Sequence, residues 1–445
     1  MAILWGEGPL PRASAVVRVP RRDDFRAGVA ALREAALRPP GDGLAARRDA
    51  GTVVVDLGID VLNWFGWFLS RTEETGSDRV DIYGRFPQEA ALAEQLGLTE
   101  VPVADHLACR LREAVLLAAR TAGLDLRPVS PWPQGKRFCV CLTHDVDTAV
   151  MQSPAWGLEK LVAAGAGAAR GRWPAVRRRL SEAVGLTLGG PRNPYWIFDR
   201  MADMEDAHGF RSAFYLLAQS TALHWERGRP AWRYRLAQPE ILAAFRRLAR
   251  RGWEVGLHLG YDAADRSGGV QAEWRRLGRL LGDGVAPRGG RCHFLRLRVP
   301  DGWRRMARAG MAYDASLGWS RGWGFRTGTS WPYRPFDLER GRAMPIWEFG
   351  VHLMDKAVAD GPSALAAAKA LLDRVAAVGG CAVLLFHPCP PPWADTQEYL
   401  AFYRDLLGVI ADADGAWVVP PAECVQRLED AAAADADMLC GPQGR

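Results

Sequence analysis

Five times between residues 198 and 419 a helical stretch ends near a glycine and gives way to a short apolar strand. The helix at 198–207 is followed by Gly209 and a strand at 211–217. The helix at 239–250 is followed by Gly252 and a strand at 253–257, and that at 302–309 by Gly310 and 311–317. The helix at 363–377 leads through Gly379 to 381–386, and that at 396–411 through Gly415 to 416–419. Glycine just past a helix end is the usual C-terminal cap, because it takes positive φ without a Cβ clash. Strands alternating with helices imply parallel pairing through helical crossovers. The expected fold class is therefore α/β, either a (β/α) barrel or an open doubly wound sheet, beginning with a strand at Arg137–Leu142.

Residues 1–135 read as a smaller α/β unit of their own. They hold a strand-like run (Val53, Val54, Val55, Leu57), a helix from Val61 to Arg71, an acidic loop from Glu73 to Asp81 and a helix from His106 to Ala122. Pro128, Pro131 and Pro133 mark a linker at 127–136. A chain of 445 residues suits two or three domains at roughly 150 residues each. The barrel-like domain is expected over 136–428. A helical insertion at about 149–195 carries Arg170, Arg172, Arg177, Arg178 and Arg179. Such a run is first of all a solvated helix face; its sharper reading is a surface for lipid headgroups or another anionic polymer, that is, peripheral membrane association. The tail 429–445 is rich in Ala, Asp and Gly and is expected to fray.

Charge narrows the partners. Lys and Arg number 57 against 51 Asp and Glu, a net +6 spread over the whole chain, so no nucleic-acid partner is expected. The most apolar windows are broken by Asp56 and Asp60 and by Lys369 and Asp373; none reaches the ~18 apolar residues of a membrane span. Residues 1–20 carry Glu7 before any basic cluster and no apolar core. No signal peptide is expected, and the expected location is cytoplasmic. The eight cysteines include no CxxC pair, although Cys139 and Cys141 alternate along a strand. In that compartment they read as reduced, buried thiols.

In parallel α/β folds the chemistry sits at the C-terminal ends of the strands. Most of the histidines of this region fall there. The first strand runs into Thr143-His144-Asp145-Val146-Asp147, and another ends at His258. Arg291-Cys292-His293, Asp314, Glu348, His352 and His387 follow at later strand ends. Asp145 and Asp147 are two apart, so an extended backbone points both to one side. Two such carboxylates repel unless a cation or proton separates them. A divalent ion resolves this: one aspartate ligates and the other stays free as a base. An Asp and His donor set suits zinc or a similar ion with an open water position, which lowers the water's pKa toward ~7. The same Asp-x-Asp spacing equally serves as a turn or helix cap after a strand.

These residues, in this order, resemble the polysaccharide deacetylase family (carbohydrate esterase family 4, the NodB-type domain). Its members are metal-dependent hydrolases that remove N- or O-acetyl groups from glycans on a distorted (β/α) barrel, usually described with seven strands. The resemblance covers about 137–425. The family's Thr-Phe-Asp-Asp-Gly is matched by Thr143-His144-Asp145-Val146-Asp147, which implies Asp145 as catalytic base and Asp147 as metal ligand. Its His-Ser/Thr-x-x-His is matched by His258-Leu259-Gly260-Tyr261-Asp262, so His258 becomes a ligand and the second histidine is replaced. Asp262 or His293 would supply the third ligand, and His293 is favoured. Arg291 would orient the base, Asp314 would tune the catalytic acid, and Leu384-Leu385-Phe386-His387 makes His387 the general acid. Leu69 to Glu74, Tyr83 to Phe86 and Gly324 to Leu338 look like marks of one bacterial branch of the family.

The resemblance implies a hydrolase of non-peptide C–N bonds, a deacetylase. Its cofactor would be a divalent ion, zinc or similar. Its substrate would be a glycan, or a nucleotide- or lipid-linked sugar, made during envelope or exopolysaccharide assembly. Two rivals stand beside it. One is a hydrolase of another C–N bond, such as a cyclic amide, on the same fold. The other is a non-catalytic glycan binder using Trp319, Trp323, Trp331 and Trp393.

Overall fold

The computed structural model describes all residues except 7–12, 22–24, 150–153, 170, 172, 189–192, 194–195, 219–222, 227–228, 233, 283, 358–360, 390–395 and 440–445. The N-terminal unit contains β1 (Ala2–Trp5), β2 (Ala15–Val19), α1 (Phe25–Leu37), β3 (Ala46–Asp49), β4 (Thr52–Asp56), α2 (Val61–Ser70) and α3 (Val103–Thr121). Its sheet has the order β1-β2-β4-β3, parallel except for β3 against β4. It has a core of its own, with Val17, Val53, Val55, Trp64, Phe68 and Leu107 at its centre. Strand β2 escapes sequence reading for a physical reason. It is buried on nearly all its length, so it shows no polar alternation.

The second unit contains β5 (Phe138–Val146), the helical hairpin α4 (Pro154–Ala168) and α5 (Trp173–Leu188), α6 (Phe198–Asp206), β6 (Ala213–Leu217), α7 (Pro239–Arg250) and β7 (Glu254–Leu259). It continues with α8 (Gly269–Leu281), β8 (Gly289–Cys292), α9 (Asp301–Ala309), β9 (Tyr313–Asp314), β10 (Trp347–Glu348) and β11 (Leu353–Met354). It ends with α10 (Gly361–Val378), β12 (Cys381–Leu385), α11 (Thr396–Ala411), β13 (Ala416–Val418) and α12 (Pro421–Leu439). The sheet is parallel throughout, in the order β10-β9-β8-β7-β6-β5-β12-β11, with β13 also on β5. The sheet curls. Residues 347–354 pair with β9 at their start and with β12 at their end, and Val351 and His352 donate to Leu317 and Val383 on the two sides (2.7 and 3.0 Å). Seven strands are the expectation of the resemblance. The ladder divides into nine segments, because 347–354 is split in two and β13 is added.

Each of the five predicted terminal glycines holds a positive φ. Helix α7 shows why these helices form and where they face. Pro239 presets its first turn, and Ile241, Ala244, Phe245 and Leu248 bury one stripe at helical spacing. Along β5, residues 138, 140 and 142 face the outer helices, while 139 and 141 face the interior. This period of two continues to Asp145 and sets the site. The hairpin α4–α5 exposes Leu158, Leu161, Val162, Trp173 and Leu180. Arg170 and Arg172 lie outside the described residues, as does the side chain of Arg178. Of the tail expected to fray, residues 429–439 belong to α12, since the Ala-rich stretch is a strong helix former, and 440–445 lie outside the described residues. No described helix is long and apolar enough to cross a membrane.

The two units meet through the segments that the resemblance singled out. Glu74 receives two bonds from Arg326 (3.0 and 2.7 Å) and two from Arg71 (3.2 and 2.7 Å), all three residues being buried. Asp105 accepts from the Ser330 backbone (2.7 Å) and from the hydroxyls of Ser330 and Thr329. Gly328, at φ 71°, accepts from the Ala104 N–H at its carbonyl (2.8 Å), and a Cβ there would stand 2.3 Å from the Phe68 ring. Only glycine fits this seam.

Candidate metal and catalytic site

Strand β5 delivers Asp145 and then Asp147 to one mouth of the curled sheet. His258 is the penultimate residue of β7, and Arg291 is its direct partner on β8. His293 follows in a tight turn where Phe294 and Leu295 take φ of 60° and 57°. Two successive non-glycine residues in this region cost of order 1–3 kcal/mol each, strain that is common where a turn serves a site. The turn swings His293 inward and lays Phe294 on Tyr83 of the N-terminal unit, with ring centres 5.2 Å apart.

Three donor atoms converge. Nε2 of His258 lies 3.0 Å from Nδ1 of His293 and 3.2 Å from Oδ1 of Asp147, and that oxygen is 3.2 Å from His293 Nδ1. Ligands about 2.0–2.1 Å from a tetrahedral zinc stand about 3.3–3.4 Å apart, so this triangle has the size of one ion's coordination face. The tautomer agrees. His258 donates Nδ1–H to the Arg291 carbonyl (3.1 Å), which leaves its Nε2 lone pair toward the triangle. Among the described residues, Asp147, His258 and His293 thus could hold a metal ion, and Asp262 is not in the group. The Asp262 side chain is 52 % exposed and points toward Arg296 at 3.8 Å.

Asp145 and His387 flank the triangle. Asp145 Oδ2 lies 3.8 Å from His258 Nε2, and its other oxygen accepts from buried Arg291 at 2.8 Å. Burial acts to raise the Asp145 pKa, but Arg291, His258 and His387 outweigh it and hold the group below the usual carboxylate range. Burial likewise opposes ionisation of Asp147, and His293 and Lys356 overcome it by a wide margin. Lys356 Nζ is 3.5 Å from Asp147 Oδ2, and His387 Nε2 is 3.9 Å from that oxygen.

The partner of His387 is Asp355. Its carboxylate accepts from His387 Nδ1 (2.8 Å), from the His387 backbone N–H (2.8 Å) and from the Tyr399 hydroxyl (2.7 Å). Asp314 was expected to tune this histidine, and that expectation is corrected. Asp314 accepts from Ser316 Oγ and sits beside Glu348. Burial raises both acids, Glu348 well above its usual range. Sheet order decides the matter. Asp355 follows β11, the direct neighbour of β12, which leads to His387; β9 lies on the other side of 347–354. Replacing Asp355 with asparagine should lower kcat by about 10- to 100-fold with KM little changed, because it frees the ring that its carboxylate holds. Steady-state kinetics of the variant beside wild type would read this, and an unchanged kcat would remove Asp355 from the machinery.

Above the triangle opens a cavity of about 690 Å³. Its floor includes Asp145, Asp147, His293 and His387. One wall is Val80 to Glu89 of the N-terminal unit, and the other carries Phe294, Trp319 and Arg321. Arg85 fixes the wall by an ion pair to Asp81 (2.6 Å) and a bond to the Phe294 carbonyl (3.3 Å).

Comparison with known proteins adds the following. Residues 34–118 match a family of unknown function, DUF7033. The match covers the N-terminal unit from within α1 almost to the end of α3, and includes the cavity wall. No curated protein matches the chain. Among solved structures, the chain is similar to one from Mycobacterium smegmatis provisionally described as a polysaccharide deacetylase, at 18% identity, with 69% of this chain and 96% of that one covered and a TM-score of 0.44. It is also similar to the PuuE allantoinase, at 13% identity, with 68% and 94% covered and a TM-score of 0.43.

The remaining sequence candidates fall elsewhere. His144 is buried between the Phe386 carbonyl (2.9 Å) and Glu205 (2.8 Å), with Tyr403 beside it. His352 accepts from the Val383 N–H (3.0 Å), and burial lowers its pKa to about 4. Of the four tryptophans, Trp319 lines the cavity. Trp331 stacks on Trp132, Trp323 packs under Arg374, and Trp393 lies outside the described residues. Sequence reasoning missed Asp355 and Lys356. They too stand at a strand end, but β11 has only two residues and offers no apolar run to read.

Proposed function

We propose that this chain is a metal-dependent hydrolase of a non-peptide C–N bond, and specifically a deacetylase of an N-acetylated glycan or glycan precursor. The observation that carries the reading is the triangle of Asp147, His258 and His293 with a free carboxylate, Asp145, and a carboxylate-held histidine, His387, beside it. A divalent ion held by those three residues supplies Lewis acidity at the acyl carbonyl and an acidified water. Asp145, kept ionised by Arg291, takes the proton of the attacking water. His387, held by Asp355, gives a proton to the departing amine. Lys356 adds positive charge near the developing oxyanion. Aromatic faces on the cavity wall (Tyr83, Phe86, Phe294, Trp319) beside polar groups (Asp81, Gln88, Arg321) suit a sugar ring, which is apolar on its faces and hydroxylated at its rim. On this reading residues 1–135 are an accessory domain that completes the substrate cleft, the metal is zinc or a similar divalent ion, and the O-acetyl ester is the next substrate to try.

The test compares wild type with His258→Ala. Metal content should drop by about one ion per chain, and release of acetate from N-acetylglucosamine oligomers should be lost with it. Equal metal content in the two proteins would overturn the metal site. Metal-dependent turnover of small cyclic amides with none of acetylated sugars would move the reading to the other C–N hydrolase. Glycan binding that survives Asp145→Asn, with no turnover of any amide, would leave only a binding protein.

A further inference from the structure

A second group of metal-ligating side chains lies at the far end of the same strand. The inward face of β5 carries Cys139 and Cys141 before it carries Asp145 and Asp147. At ~3.3 Å per residue the thiols sit roughly 13–26 Å from the carboxylates. Cys381 on β12 is the direct register partner of Cys139. Helix α12 brings Cys424 beneath the sheet, into the same core layer. All four are fully buried. Each offers a sulfur, and the four sulfurs lie within 4.8 Å of one another. Cys139 Sγ is 3.9 Å from Cys141 Sγ, and Cys141 Sγ is 3.6 Å from Cys381 Sγ.

We propose that Cys139, Cys141, Cys381 and Cys424 form a structural tetrathiolate site for one zinc-type ion, separate from the candidate active site. Four sulfurs ~2.3 Å from a common ion in a tetrahedron stand about 3.8 Å apart, which the 3.9 and 3.6 Å contacts of Cys141 with Cys139 and Cys381 match. A disulfide needs about 2.05 Å and joins only two of them. A polynuclear iron–sulfur cluster needs a wider cage, so the set fits a single ion. Packing alone does not account for the convergence. Among the described residues, Cys109 and Cys292 are buried singly and join no such group, which is how a cysteine used as a small apolar residue behaves. Neighbouring inward positions are filled by Ala213 and Val383, so the layer accepts ordinary apolar side chains. The stacked Trp132 and Trp331, and Trp417 beside them, belong to the same layer, which suits a closed structural site with no open position.

Loading exchanges four thiol protons, released to solvent, for four sulfur–metal bonds and needs no oxidant. Its effect is mechanical. The ion ties α12 to β5 and β12 at the end of the sheet that the active site does not use. The inference does not rest on the proposed activity.

The experiment uses the full chain carrying His258→Ala, which lacks the first site, grown with zinc. Plasma mass spectrometry should find about one ion per chain retained. An organomercurial should release that ion to a colorimetric chelator as about four thiols react. The cobalt-loaded form should show a thiolate-to-cobalt absorption in the near ultraviolet. Cys424→Ser should lose the ion; if that variant does not fold, the mercurial release from His258→Ala carries the test by itself. Retention of no ion by His258→Ala, with all thiols free on denaturing titration, would overturn the proposal. So would a pair of the four recovered as a disulfide, or an ion that mercurial modification does not release.

Discussion

Replacing Asp145 with asparagine is expected to reduce kcat for acetate release by about 10²–10⁴-fold while the metal stays bound, the range a positioned general base contributes. The distinction from the ligands is geometric. Asp147 shares one oxygen with both histidines of the triangle, whereas the nearest Asp145 contact to it is 3.8 Å and its other oxygen is committed to Arg291. Asparagine keeps an acceptor for Arg291 but cannot take a proton. It also leaves the buried guanidinium without its counter-charge, which costs about 3 kcal/mol or more when an ion pair is broken from one side. Metal content and a thermal melt must therefore accompany the kinetics. A variant that is folded, metal-loaded and fully active would show that Asp145 is not the base.

The second large effect is on stability. Removing the Glu74 side chain (Glu74→Ala) should destabilise the chain by about 3–5 kcal/mol, because Arg326 would remain buried without its carboxylate and Arg71 would keep only Glu73, at 2.8 Å. The interaction joins the N-terminal unit to the barrel, so the cavity wall should loosen with it. Its pH dependence follows from the same charges. Burial pushes the Glu74 pKa up, and Arg326 and Arg71 overcome this and bring it from 4.5 to about 2. A carboxylate whose folded pKa is depressed contributes fully above its unfolded value and loses the contribution as pH falls toward its folded one. The gap in stability between wild type and Glu74→Gln should hence be full at neutral pH, about 3 kcal/mol for this shift, and close between about pH 4.5 and 2. Urea denaturation across that range measures it. A gap that is absent at pH 7, or that stays constant to pH 2, would show that the two arginines do not depend on Glu74.

Much of the site was legible because its residues obey a local rule. Asp145, Asp147, His258, Arg291, His293 and His387 each stand where an apolar strand runs out, and strand ends of a parallel sheet share one mouth. Asp314 obeys the same rule and was misassigned, since being at the mouth does not say which neighbour a carboxylate meets. His144 shows the converse. It sits inside the motif, but the period of two turns it outward to Glu205.

What the sequence by itself determined was the α/β class, the helix ends at their glycines, and the list of groups brought to the mouth. These depend on propensities and periodicities that act over a few residues. Tertiary structure alone decided three things. It put His293 rather than Asp262 into the triangle, by a strained turn. It gave His387 to Asp355 through the order of strands. It brought Arg326 to Arg71 and Glu74, more than 250 positions away, in one buried ion-pair seam. Each of these is a long-range contact whose partners carry no mark in the local sequence. Their pairing depends on which strands become neighbours when the sheet curls, and on the cost of burying a charge without its counter-charge.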